Sequence, residues 1–140
     1  MQNVAAFESF FKDSDIYFDK NVMDDGVIMF SLRDQTLTDT DGHGSIFVLF
    51  DPQDAYIDIH VYFAKISNPL KREAAYELLN ELNASDRYTE FKMEDGNISA
   101  NYSFPDLQAS LTGRDIMDMV FLTFKSATTV YPKIMKLVWG

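Results

Sequence analysis

Residues 74–104, AAYELLNELNASDRYTEFKMEDGNISANYSF, hold an amphipathic helix, a short loop and a two-stranded hairpin in immediate succession. Ala75, Leu78, Leu79 and Leu82 recur at i, i+3, i+4 and i+7, which sets four apolar side chains on one stripe of a helix. Upstream, Asn68 before Pro69 is a start signal, because asparagine caps free amides and proline suits a first helical turn. The spacing predicts a helix over residues 69–82, closed by Asn83 in the left-handed conformation. Asp95-Gly96 is the dipeptide that a two-residue hairpin turn prefers. With that turn, Met93 lies opposite Ile98, Phe91 opposite Ala100 and Thr89 opposite Tyr102. The same register sends Glu90, Lys92 and Glu94 to the other face with Asn97, Ser99 and Asn101. One apolar and one wet face mark an antiparallel sheet covered on one side only.

The remaining segments supply more of the same layers. Val4, Phe7, Phe10 and Phe11 share a helical stripe with Asn3 available as cap, predicting a helix over residues 3–12. Residues 16–23 read as a loop or a short strand, and Asp25-Gly26 can turn them back on a strand at 27–33, where Ile28, Phe30 and Leu32 alternate with Val27, Met29 and Ser31. Residues 34–44 form a polar connection. SIFVLFD at residues 45–51 is apolar on both faces, the pattern of an interior strand. After a turn at 52–54, residues 56–63 alternate, with Ile57, Ile59, Val61 and Phe63 against Tyr56, Asp58, His60 and Tyr62. Thr112-Gly-Arg-Asp115 is a capping-box-like start with Asp in place of Glu. A helix is expected over 113–130, ended or kinked by Pro132, with a last turn or two through 134–139. The order α-β-β-β-α-β-β-α, without repeat, low-complexity tract or linker, predicts one α+β domain over residues 1–140: an antiparallel five-stranded sheet with helices on one face.

This order, with LLNELN at 78–83 and MEDGNI at 93–98, resembles the YbjN-like family over residues 27–131. The most specific parts are Asn80-x-x-Asn83 and the Asp95-Gly96 turn. Where the family often carries a Gly-Gly pair before the last helix, this chain has Thr112-Gly113-Arg114. The resemblance implies a fold similar to type III secretion chaperones. It also implies a regulatory role in bacterial signalling or stress response, since such proteins are described as bacterial sensory transduction regulators. It supplies no catalytic residues to carry over.

At 140 residues, 46% hydrophobic and 14% aromatic, the chain can close one real core. It has no cysteine, which excludes disulfides, thiolate nucleophiles and cysteine metal sites. No basic segment leads into an apolar run at the start and no run is long enough to span a bilayer, so a cytoplasmic location is expected. A net charge of −10 repels phosphate backbones and anionic lipid, so neither nucleic acid nor a membrane is the expected partner.

Motifs for chemistry are weak. Asp39, Asp41 and His43, with Gly44 at the sixth place, resemble the opening of a calcium loop, but Phe50 occupies the twelfth place where a bidentate Glu is required. The segment reads as a solvated turn. His43 and His60 are the only histidines and do not stand at metal-ligand spacing; His60, on a strand among tyrosines, reads as a surface or interface residue. There is no G-x-S-x-G elbow, Walker loop or dinucleotide fingerprint, and the many carboxylates read as solvated charge. A non-enzymatic chain with no catalytic, cofactor or metal residues is expected. Tyr76, Asn80 and Asn83 flank the apolar stripe of the middle helix, either as caps and loop contacts or as the wall of a polar pocket for a peptide or small ligand.

What exceeds the needs of one core is apolar surface. The final helix carries Ile116, Met117, Met119, Val120, Phe121, Leu122, Phe124, Ala127 and Val130, more than one stripe can bury. The outward strand faces add Phe47, Leu49, Tyr56 and Tyr62. Apolar and aromatic area rimmed by acids has the composition of a protein-protein site. The candidate interaction residues are therefore Phe47, Leu49, Tyr56, Tyr62, Met117, Met119, Phe121, Leu122 and Phe124. The expected function is a regulatory or interaction domain that docks a protein partner or forms a homodimer through the final helix, together with the outward sheet face. The alternatives are a secretion chaperone that holds an effector segment and a small-ligand sensor. Internal cover of the final helix by Phe7, Phe10 and Phe11 of the first helix would compete with the dimer.

Overall fold

The computed structural model describes residues 2–52, 56–106 and 111–140. Its hairpin follows from the turn chemistry. Asp95 and Gly96 both have positive φ, 53° and 82°, as a type I′ turn demands. Strand β5 (Glu90–Glu94) therefore pairs with β6 (Asn97–Pro105) with Met93 opposite Ile98 and Phe91 opposite Ala100. The ladder begins at Glu90 opposite Asn101, so Thr89 stands outside it and the expected pairing with Tyr102 is not made. The Thr89 hydroxyl instead bonds Ser126 at 3.0 Å. Glycine is needed at 96 for space as well as for φ, because a Cβ there would lie 2.5 Å from the Ile66 carbonyl oxygen.

The middle helix starts where Asn68 and Pro69 place it. The Asn68 side chain accepts the Leu70 amide at 3.0 Å, over a 3₁₀ turn at Pro69–Lys71 that leads into α2 (Arg72–Ser85). Ala75, Leu79 and Leu82 are buried and Leu78 is half-buried. The helix end differs from expectation. Asn83 lies inside the helix rather than closing it, and Asp86 in extended geometry ends the element three residues later. The Asp86 carboxylate then accepts the amides of Tyr88 and Thr89, which bends the chain into β5.

The sheet is antiparallel with six strands in the order β1-β2-β3-β4-β6-β5, which corrects the expected five. The additional strand is β1 (Asp19–Val22), paired with β2 (Ile28–Thr36). All four β1 residues are exposed, so no alternation announces it; the ladder to β2 defines it, and Lys20 ties it to Glu8 of the first helix. Strand β3 (His43–Asp51) and β2 also extend into the expected polar connection, with a register shift between Leu32 and Gln35. Leu37, in what remains of that connection, is fully buried. Strand β4 (Tyr56–Lys65) alternates as expected, with Ile57, Ile59, Val61 and Phe63 buried. Of the expected turn at 52–54, residues 53 and 54 lie outside the described residues.

The helices pack on one sheet face. Helix α1 (Gln2–Asp13) sends Phe7 and Phe11 into an aromatic cluster with Phe18, Phe30 and Phe50, ring centroids 5.1–5.9 Å apart. Asn3 is not its cap: it sits within the helix, and its amide donates to Asp106. Helix α3 (Gly113–Trp139) opens with the expected box, Thr112 Oγ1 accepting the Asp115 amide at 3.1 Å and Asp115 accepting the Thr112 amide at 2.9 Å. Its buried stripe runs Ile116, Met117, Val120, Thr123, Ala127, Val130, Ile134. The helix continues through Pro132, so of the expected stop or kink the stop is not made, and the expected last turns to Trp139 belong to the same helix. Pro132 falls on the exposed side, while Val130 and Ile134 stay packed on either side of it. Helix α1 crosses the first turn of α3 so closely that a Cβ on Gly113 would strike the Ala6 carbonyl and Phe10. Among the described residues no helix is long and apolar enough to cross a membrane.

Candidate functional site

Among the described residues the helices take one side of the sheet, and the outward face of the central strands mixes exposed with buried side chains, Ser31, Ser99 and Asn101 among the buried. Register sets its rows: Ser31, Phe47, His60, Asn101 and Glu90 lie side by side across β2, β3, β4, β6 and β5. One neighbouring row is Met29, Leu49, Asp58 and Ser103, and the other joins Ser45, Tyr62, Ser99 and Lys92. Tyr56 and Tyr62 are 45% and 43% exposed, and Phe47 and Leu49 are half-buried by their neighbours alone. The Phe47 and Tyr62 rings meet edge to face at 5.8 Å, and the Arg33 guanidinium lies 5.2 Å from the Phe47 ring centre.

A polar centre sits within this apolar area. His60 Nδ1 is 2.5 Å from Asn101 Oδ1, and the Asn101 amide donates to the Glu90 carbonyl at 3.0 Å and to the Ser99 hydroxyl at 3.0 Å. Since the Asn101 nitrogen is spent on those acceptors, its oxygen must take a proton from His60. The contact orients the imidazole ring with Nδ1 as donor toward β6. The Ser103 hydroxyl donates to Asp58 and the Ser99 hydroxyl accepts from Asn101, so these two hydroxyls are engaged with other groups than His60. The face is thus an aromatic platform with an oriented imidazole in its middle.

The candidate residues on α3 belong to another place. Met117 is only 1% exposed and is a core residue, because the buried stripe passes directly through it; this corrects its assignment to the surface. Met119, Leu122 and Phe124 are half-buried along the flanks, and Phe121 is 53% exposed. Phe121 and Phe124 border an apolar hollow of about 200 Å³ with Ile16, Phe18, Leu32 and Ile46. Helix and sheet candidates thus lie on opposite sides of the sheet and form two surfaces. Helix α1 meets α3 closely at Gly113 while Phe121 stays 53% exposed, so the internal cover is partial.

The Tyr76–Asn80–Asn83 flank lines a hollow of about 300 Å³ against Phe91, Lys92, Met93 and Glu94. Asn83 itself is structural, with Oδ1 accepting the Phe91 amide at 2.6 Å and Nδ2 donating to the Phe91 carbonyl at 2.9 Å. The calcium-loop resemblance resolves into a hairpin loop: Thr40 Oγ1 donates to the Leu37 carbonyl at 2.8 Å and accepts the Gly42 amide at 3.0 Å. Among the described residues no three His, Asp or Glu side chains gather as metal ligands. Asn101 lies on the outward face as the hairpin register predicts, while its contact with His60 and the place of Arg33 over Phe47 were not expected. Only the β4–β6 and β2–β3 registers bring them beside His60 and Phe47.

No family model matches this chain, and neither a curated protein nor a solved structure matches it.

Proposed function

We propose that this is a non-enzymatic interaction domain, regulatory in role as the family resemblance implies, and that it docks a protein partner on the outward face of β3 and β4. The observation that carries this is the outward platform of exposed Tyr56 and Tyr62 with half-buried Phe47 and Leu49. Fully burying an exposed side chain of this size gains about 1.5–3 kcal/mol, and these four, already partly covered, each gain a part of that on association. His60, oriented by Asn101, gives the patch a directional polar group at its centre.

A chaperone that holds an extended effector segment is the alternative. The side chains of Phe47 and Leu49 along β3 and of Tyr56 and Tyr62 along β4 favour it, since an extended chain can lie beside them. Affinity capture tests both. The native chain should retain a partner that Phe47→Ser/Tyr62→Ser loses at an unchanged melting temperature. A partner destined for export supports the chaperone, and a resident protein supports the regulator. Retention of the same partner by both chains would remove the sheet face from consideration.

A further inference from the structure

We infer that α3 mediates a two-fold dimer, with Phe121 of each copy seated in the apolar hollow of the other. This surface lies on the opposite side of the sheet from the Phe47–Tyr62 platform, so its failure leaves the proposed docking face untouched. Three observations single out a second copy as the occupant. The first is that knob and hole are neighbours on one patch. Phe121 is 53% exposed and itself borders the hollow of about 200 Å³, whose mostly apolar walls include Leu32, Ile46 and Phe124. An isologous contact needs this self-complementarity, in which each copy offers both halves of the same pair. The second is size. The hollow is smaller than the 300–1,000 Å³ or so typical of ligand pockets and suits one aromatic side chain.

The third observation is the charge pattern. The exposed ridge of α3 reads Arg114, Asp118, Phe121, Lys125 at helical spacing. Asp118 and Lys125 are placed symmetrically about the midpoint between Phe121 and Leu122. An antiparallel pair of α3 helices crossing there sets Asp118 of each copy against Lys125 of the other, twice. The ion pairs described within the chain use Lys12, Lys20 and Lys92, and neither Asp118 nor Lys125. On a chain of net charge −10, where two copies repel, a patch of matched charges is where they can meet.

Sedimentation equilibrium of the full chain at micromolar concentration tests this. The native chain should show twice 16.1 kDa. Phe121→Asp should sediment as a monomer with native circular dichroism. Asp118→Lys and Lys125→Asp should each weaken the dimer at least about ten-fold, and the double reversal should restore it, which no merely structural role would do. Both charged positions are exposed, so these variants decide the matter even if Phe121→Asp fails to fold. A native monomer throughout, a dimer unmoved by Phe121→Asp, or a double reversal no better than the single ones would overturn the inference.

Discussion

Asn83 holds Phe91 by both of its outward main-chain groups, taking the amide at 2.6 Å and giving a proton to the carbonyl at 2.9 Å. A side-chain amide on α2 thereby completes β5 at the sheet edge as a seventh strand would, and it blocks that edge against another chain. Asn83→Ala removes two hydrogen bonds and bares the edge. A loss of about 1–3 kcal/mol is expected, with faster hydrogen exchange at the Phe91 amide. Unchanged exchange at Phe91 would show that the contact carries no weight.

Gly96→Val should cost roughly 2 kcal/mol or more, because a β-branched residue resists φ of 82° and its Cβ meets the Ile66 carbonyl at 2.5 Å. Thermal unfolding reads this directly, and an unaltered melting temperature would contradict the turn geometry.

Leu79→Ala should destabilise by about 2–5 kcal/mol, since Leu79 is 3% exposed between helix and sheet. Leu78→Ala, on the half-buried edge of the same stripe, should cost clearly less. Equal losses in urea titrations would mean that α2 is rotated from the orientation described.

Acid should act partly through Glu8, which joins α1 to β1 by accepting Lys20 at 3.1 Å and Lys12 at 3.3 Å. Burial pushes its carboxyl up, but the two ammonium groups together outweigh burial and hold it below its ordinary value. A carboxyl lowered in the folded state stabilises above its unfolded value of about 4.3, and that contribution disappears as pH falls through the lower folded value. Glu8→Gln should therefore be less stable than the native chain near neutrality, by under about 1 kcal/mol for so accessible a pair. The difference should vanish in acid; a difference independent of pH would mean that the charge plays no part.

Which parts of this architecture can be read from the chain depends on how local their causes are. Asp95-Gly96 sets its own turn and so sets the β5–β6 register, and the Thr112–Asp115 box closes within four residues. Strand β1 is opaque because its four side chains are all exposed and only the ladder to β2 defines it. Pro132 misleads because its cost depends on which side of α3 it faces, and Asn83 because its partner lies in the next strand rather than in its own helix. The outward aromatic residues follow from alternation within β3 and β4. The His60–Asn101 contact requires knowing that β6 pairs with β4 across an intervening helix, which no local pattern states.

The most direct test of the proposed docking face is site-specific photo-crosslinking in the cells that naturally make this protein, with the photoreactive side chain placed at Tyr62 and, as a control, at Tyr17, exposed beyond the opposite end of the sheet order. A discrete crosslinked partner from position 62, lost on Phe47→Ser and absent from position 17, is the result expected. No product from position 62, or the same products from both positions, would contradict the account.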